Sequence, residues 1–178
     1  MRILLVLLCP VLLASCSCQR DVPSTDAVGS QPVQAPAAAK AAAKREAAEQ
    51  AAEQRARKRE REDAIYDAVD TLQAYLREVN SDKRDAAIAR WAYRRSPEGN
   101  EEAGLRSLDG LRAMRIENGT PRQLDAETVP VSLEIPVELR ATLADGSMQR
   151  YQGWYRLRRK AVEPGWEITG TSLSKVQR

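Results

Sequence analysis

The chain has 178 residues, a net charge of +3 and no histidine. That length holds one domain with a real core and not two. From Ala64 onward, 18 Lys and Arg face 17 Asp and Glu. A domain so near neutrality lacks the concentrated positive face that nucleic acid requires, so nucleic acid is excluded as a partner. Without histidine the commonest general base and metal ligand is missing. The three cysteines, Cys9, Cys16 and Cys18, all precede residue 19. The globular part therefore has no internal disulfide, no thiolate and no zinc site, and neither a cofactor nor a metal is expected.

The chain opens with Arg2, an apolar run from Ile3 to Leu13 and the small residues Ala14 and Ser15. These are the parts of a secretory signal peptide. The run is interrupted by Pro10 and is too short for the ~20 apolar residues of a spanning helix. The residues Leu13-Ala14-Ser15-Cys16 resemble the lipobox of bacterial lipoproteins. The resemblance implies cleavage between Ser15 and Cys16, acylation of Cys16 and anchorage to a lipid bilayer, with several acyl chains holding stably where one binds weakly. Cys18 is the rival acceptor, and an ordinary cleavage site is the alternative. Ser17 after the lipidated cysteine, in place of Asp, favours the outer membrane, with the protein facing the periplasm.

Residues 16–36 carry Pro23, Gly29, Pro32 and Pro36 without an apolar period, the composition of a flexible tether. Residues 37–63 are almost wholly Ala, Lys, Arg, Glu and Gln, all strong helix formers. Only alanine is apolar there, so the segment reads as a helical spacer. An alanine-rich coiled coil that oligomerises the protein is the sharper alternative, though it lacks the Leu, Ile or Val of a usual seam.

Ile65, Val69, Leu72, Leu76 and Val79 then recur at four-three spacing, which predicts an amphipathic helix running on from the spacer. A continuous helix over 37–79 would reach about 65 Å. Ser81 or Asp82 can cap a second helix carrying Ala87, Ile88, Trp91 and Ala92. A third is predicted over 101–111 from Leu105, Leu108 and Leu111. The period then becomes two. A first strand falls near Met114–Glu117, with Asn118-Gly119 as its turn. Val131 to Leu143 alternate in and out over seven steps, the strongest strand signal in the chain. Pro130 and Pro136 suggest an edge or a bulge there. Asp145-Gly146 marks a hairpin turn to a strand over 148–159, and Glu163-Pro164-Gly165 turns into a last strand, 166–176.

Helices followed by an antiparallel meander make an α+β domain over 64–178. Tyr151-Gln-Gly-Trp-Tyr-Arg-Leu followed by Gly165-Trp166-Glu167-Ile168 is similar to the NTF2-like (cystatin-like cone) fold. The resemblance implies helices packed on a curved antiparallel sheet. It also implies a cone whose cavity would be lined by Tyr75, Trp91 and Tyr151. Enzymes of this fold place Asp, His or Tyr inside the cone, which would point here to Asp70, Tyr75, Tyr93, Tyr151 and Tyr155. The tyrosines sit at core-like positions and Asp70 lies off the apolar stripe. No phosphate loop, nucleophile motif or carboxylate pair is present. The expectation is a non-enzymatic module that binds an envelope protein or peptidoglycan. The alternatives are a small-molecule carrier or sensor using the cone, or a periplasmic immunity protein against a wall-degrading toxin; fold alone does not choose. Trp154, Arg156, Arg158 and Lys160 share one strand face and form the candidate partner-binding group. If they dock a partner, reversing Arg156 and Arg158 to Glu is expected to abolish binding without lowering the melting temperature.

Overall fold

The computed structural model describes residues 35–79, 81, 83–95 and 101–176. The signal peptide, Ser15, Cys16, Ser17 and nearly all of the tether lie outside the described residues, as do Asp82 and residues 96–100. The chain divides into two compact units, 1–40 and 41–178, and the second carries the core.

Helix α1 spans Ala35–Glu78 without a break, as the absence of Gly and Pro between spacer and amphipathic segment allows. Up to Asp63 its described side chains are almost all exposed. From there Ala64, Ala68, Leu72, Tyr75, Leu76 and Val79 are buried, while Ile65 and Val69 are only partly covered. The buried stripe is thus turned by about one residue from the one the large aliphatics predict. No described helix is long and apolar enough to cross a membrane.

The second helix is shorter than predicted. Helix α2 spans Arg84–Ala89, and its cap position is Lys83, which makes no capping hydrogen bond through its side chain. The Ser81 hydroxyl accepts from Lys83 N at 3.0 Å and donates to Glu78 O at 2.9 Å, so it tidies the end of α1 rather than the start of α2. Trp91 lies beyond the helix in extended backbone. The predicted third helix reduces to one 3-10 turn, Leu105–Ser107, after Gly104 in the left-handed region at φ 79°. Leu105 is buried and Leu108 and Leu111 pack partly against the core, so the leucine spacing marked burial and not a helix.

The strands are β1 Leu111–Asn118, β2 Arg122–Gln123, β3 Ser132–Leu143, β4 Met148–Arg159 and β5 Trp166–Lys175. All pair antiparallel in the order β1-β3-β4-β5, with β2 beside β3. The α+β class and the order of helices before a meander are therefore as expected, while β2 had no sequence signal. The Asp145-Gly146 turn forms as read: Asp145 accepts from Ser147 N at 2.8 Å, and Gly146 adopts φ 82°.

Proline 136 misled on one point. β3 is an interior strand, flanked by β4 on one side and by β1 and β2 on the other. Pro136 falls in the gap where β1 has ended at Asn118 and β2 has not begun, and its carbonyl accepts from Gly119 N at 2.8 Å. Its N points to that same side, where neither β1 nor β2 pairs with it, so the missing N–H is tolerated, while on the other side Pro136 pairs with Trp154 of β4.

Alternation puts Leu133, Ile135, Val137, Leu139 and Ala141 of β3 on the face covered by α1, with Tyr151, Tyr155 and Leu157 of β4 and Trp166, Ile168 and Leu173 of β5. The opposite face carries Glu134, Trp154, Arg156, Arg158 and Glu167. Gly153 of β4 leaves no room for a side chain against β5: a Cβ there would lie 1.9 Å from the Ser172 carbonyl oxygen and 2.9 Å from Leu173 Cα. Backbone cannot yield as a side chain can. Gly153→Ala is expected to destabilise the protein by about 2 kcal/mol or more, the range for overpacked sites; a denaturant midpoint within error of the parent's would refute the close approach.

Candidate functional site

The site is built where the chain leaves α2 and runs along the outer edge of β5. Arg90 O accepts from Ile168 N at 2.8 Å, and Trp91 bridges to Ile168 in parallel. Further on, Glu101 O accepts from Leu173 N at 2.6 Å. Arg90 is itself held by a two-toothed ion pair, Nε to Glu78 Oε2 at 2.7 Å and Nη2 to Glu78 Oε1 at 2.9 Å. The last residue of α1 therefore fixes the entry to this segment. Thr169 is the extra residue where the β4–β5 register slips between Arg156 and Leu157, and a bulge of this kind bends its strand.

An open cleft of about 670 Å³ lies against this edge. Trp91, Tyr93 and Arg95 of the edge segment line it, with Ile168 to Thr171 of β5 and the outward residues Trp154, Arg156 and Arg158 of β4. Two stacks stand at its border. The Arg156 guanidinium lies over the Trp154 ring, 4.4 Å from its centroid, and that of Arg158 lies 5.3 Å from the centroid of Tyr93. Tyr93 is 86 % exposed, and both it and Arg94 adopt positive φ, 58° and 53°. Two successive non-glycine residues in the left-handed region cost about 1 kcal/mol or more each and persist only where surrounding contacts impose them. Here Arg94 N donates to Trp91 O and Arg95 N to Ala92 O, closing a tight turn that presents the tyrosine outward.

Both arginines also hold carboxylates. Glu134, only 8 % exposed, accepts from Arg156 Nε at 3.0 Å and from Arg122 Nη2 at 2.7 Å. Glu167 accepts from Arg158 Nε at 2.7 Å. This corrects the expectation that reversing Arg156 and Arg158 would leave the melting temperature unchanged. A glutamate at position 156 would face buried Glu134 with like charge, and the fold itself would suffer. Lys160 is also corrected: it pairs with Glu163 at 3.7 Å beside the turn after β4 and does not line the cleft.

Behind the cleft sits a buried carboxylate that no sequence pattern announced. Glu102 is 5 % exposed. Its Oε1 accepts from the hydroxyls of Tyr75 and Tyr155, each at 2.7 Å, and its Oε2 accepts from Arg106 Nε at 2.5 Å. Arg106 Nη2 also donates to the Tyr75 hydroxyl at 2.8 Å. Burial, reinforced by the adjacent Glu102 charge, pushes both tyrosine pKa values up, so both remain protonated donors. Tyr75 packs edge-on against Trp91 and against Tyr155, with 5.8 Å between ring centroids in each case. Trp91 Nε1 is buried and finds no acceptor among the described residues.

These rings occupy the middle of the cone, which corrects the expected cavity. Tyr75 and Trp91 do meet, but as packed rings, and Tyr151 stands apart with its hydroxyl on Gln149 at 2.7 Å. Of the other positions the fold resemblance suggested, Tyr155 is buried in the network, Tyr93 is on the surface beside the cleft and not in the core, and Asp70 is exposed on α1. Among the described residues no three acids or cysteines converge on a metal site.

No protein-family model matches the sequence, and no curated protein does. Solved structures do. A proposed scytalone dehydratase from Novosphingobium aromaticivorans DSM 12444 shares 12 % identity at TM-score 0.42, over 62 % of this chain and 83 % of that one. A Δ5-3-ketosteroid isomerase from Mycobacterium sp. shares 13 % identity at TM-score 0.40, over 62 % of this chain and 98 % of that one. Both are enzymes by name, which overturns the expectation that the chain is not an enzyme. That expectation leaned on missing histidine and cysteine. Acid–base groups need neither, and the fold gathers two tyrosines and a carboxylate that no motif spacing revealed. At this level of similarity no activity passes to the present chain.

One consequence concerns acid. Hydrogen bonds from Arg90 hold the Glu78 carboxyl below its ordinary value, against burial, which acts upward. A carboxyl depressed on folding contributes stability that is fully present above its unfolded pKa, about 4.3, and is lost as pH falls through the folded value. Between pH 7 and 3 the parent's melting temperature should therefore fall more steeply than that of Glu78→Gln. Parallel profiles would mean that the ion pair does not anchor the edge segment.

Proposed function

We propose that the chain is an envelope lipoprotein, anchored to the outer membrane through acylated Cys16 and facing the periplasm, whose α+β unit binds a partner at the edge-strand cleft. The lipobox residues Leu13 to Cys16 support the anchorage. One observation carries the binding role: the cleft places two arginine–aromatic stacks, Trp154–Arg156 and Tyr93–Arg158, beside an open volume. Aromatic and arginine side chains held in place by their own contacts are what dominates binding surfaces. A carrier that uses the cone is disfavoured by the Tyr75, Trp91 and Tyr155 rings that fill it. Residues 16–36 and 37–63 act in this reading as tether and spacer, and an immunity role follows if the partner is a wall-degrading enzyme.

The test is a crosslinking pull-down of the tagged protein from envelope fractions, with Cys16→Ala and a Tyr93→Ala/Trp154→Ala double variant. Cys16→Ala should lose acyl mass and leave the outer-membrane fraction, and the double variant should stay there but release its envelope partner, protein or peptidoglycan. Unchanged fractionation of Cys16→Ala refutes the anchor. Unchanged capture by the double variant refutes the cleft as the binding surface.

A further inference from the structure

Resting on that reading of the cleft, its chemistry specifies a ligand class. We infer that the cleft is an oxyanion site for a ligand that carries a carboxylate or phosphate on a flat apolar body. Charge comes first. Among the described residues three arginines, Arg95, Arg156 and Arg158, and one carboxylate, Glu101, line the cleft. Of these, Arg158 is matched by Glu167 beside the cleft. Glu134 is shared between Arg156 and Arg122, so that triad keeps one positive charge.

Geometry selects an oxyanion in particular. Arg156 uses Nε for Glu134, and its two Nη groups hold no hydrogen bond among the described residues. A guanidinium edge of this kind matches the paired oxygens of a carboxylate or phosphate. Stacking on Trp154 and the ion pair to Glu134 already hold the side chain, so less rotamer freedom is lost when an anion arrives. The apolar requirement comes from Trp154 and Tyr93. Each offers ring surface beside an arginine, and the left-handed turn at Tyr93 and Arg94 keeps the tyrosine ring in solvent instead of packed on the sheet. A hydrophobic side chain so exposed on a strained turn is suited to cover a ligand's face. The volume of about 670 Å³ admits a small aromatic acid and falls within the usual span of small-molecule sites. This site lies outside the cone, which its own rings fill.

The experiment is calorimetric titration of the full chain at neutral pH with 2-naphthoate, 2-naphthyl phosphate and neutral 2-naphthamide. One or both acids should bind at a single site about tenfold or more tighter than the amide, since the amide forfeits the charge-assisted bonds. Whichever acid binds better tells whether carboxylate or phosphate is preferred. Arg156→Gln should weaken the acid by about tenfold or more and the amide little. Arg122→Gln is the comparison: it lowers the triad's charge by as much but leaves the Arg156 edge in the cleft, and should weaken the acid clearly less than Arg156→Gln does. Should Arg156→Gln fold poorly, Trp154→Leu and Tyr93→Ala read the same site and should each weaken both acids. Equal binding of acid and amide, equal loss in Arg122→Gln and Arg156→Gln, or no binding of either acid at millimolar concentration each overturns the inference. The broader reading fails separately. If no acid binds while the Tyr93→Ala/Trp154→Ala variant loses its envelope partner, the ligand class is wrong and the docking surface stands. If the acids bind while that variant keeps its partner, the oxyanion site stands and the docking role falls.

Discussion

Everything near the cleft depends on one buried carboxylate. Glu102 sits where water cannot solvate it and is compensated by two tyrosine hydroxyls and a guanidinium. A buried charge left without such partners is strongly destabilising, whereas a fully bonded one sets a unique arrangement of the groups around it. Here those groups come from three places: Tyr75 from α1, Tyr155 from β4 and Arg106 from the turn before β1. The network ties helix to sheet at one point and sets the ring against which Trp91 packs. Trp91 has a second role, since it also lines the cleft. The interior bond set and the exterior site thus share a side chain.

The outer face repeats the principle with more water. Glu134 and Glu167 are held by Arg122, Arg156 and Arg158, and two of these arginines, Arg156 and Arg158, stack on Trp154 and Tyr93. In each cluster the acid positions the base, and Glu134, shared by two arginines, leaves one positive charge over at the surface. A bare row of arginines on a strand would be mobile and hydrated. One braced by carboxylates and rings presents fixed donors. The bracing also means that charge reversal there tests stability as much as binding, because each arginine serves a nearby acid.

Acid–base groups and open volume lie in two different places in this architecture. The Tyr75–Glu102–Tyr155 group is chemically capable but closed off, with its hydrogen bonds used internally and its rings packed. The cleft is open, and Glu101 is the carboxylate among its described lining residues. Open volume and buried chemistry meet at Trp91.

Much of the architecture was legible in the sequence because it is local. An uninterrupted run of helix formers makes α1, a period of two makes β3 and β4, and Asp145-Gly146 makes their turn, each through interactions within a few residues. The shared face of Trp154, Arg156 and Arg158 followed from the same alternation. The leucines at 105, 108 and 111 have helical spacing without a helix, because spacing reports burial and not which backbone achieves it, and Gly104 in the left-handed region interrupts the segment. Pairings between distant residues were not legible. Glu102 meets Tyr155 across 53 positions and Tyr93 meets Arg158 across 65, and no periodicity links them. By itself the sequence determined the class of the domain, the helix and strand faces and a lipobox-like start. Tertiary structure alone decided that rings fill the cone and that a tyrosine on a strained turn joins the arginines of β4, because both depend on which surfaces the chain brings together after it folds.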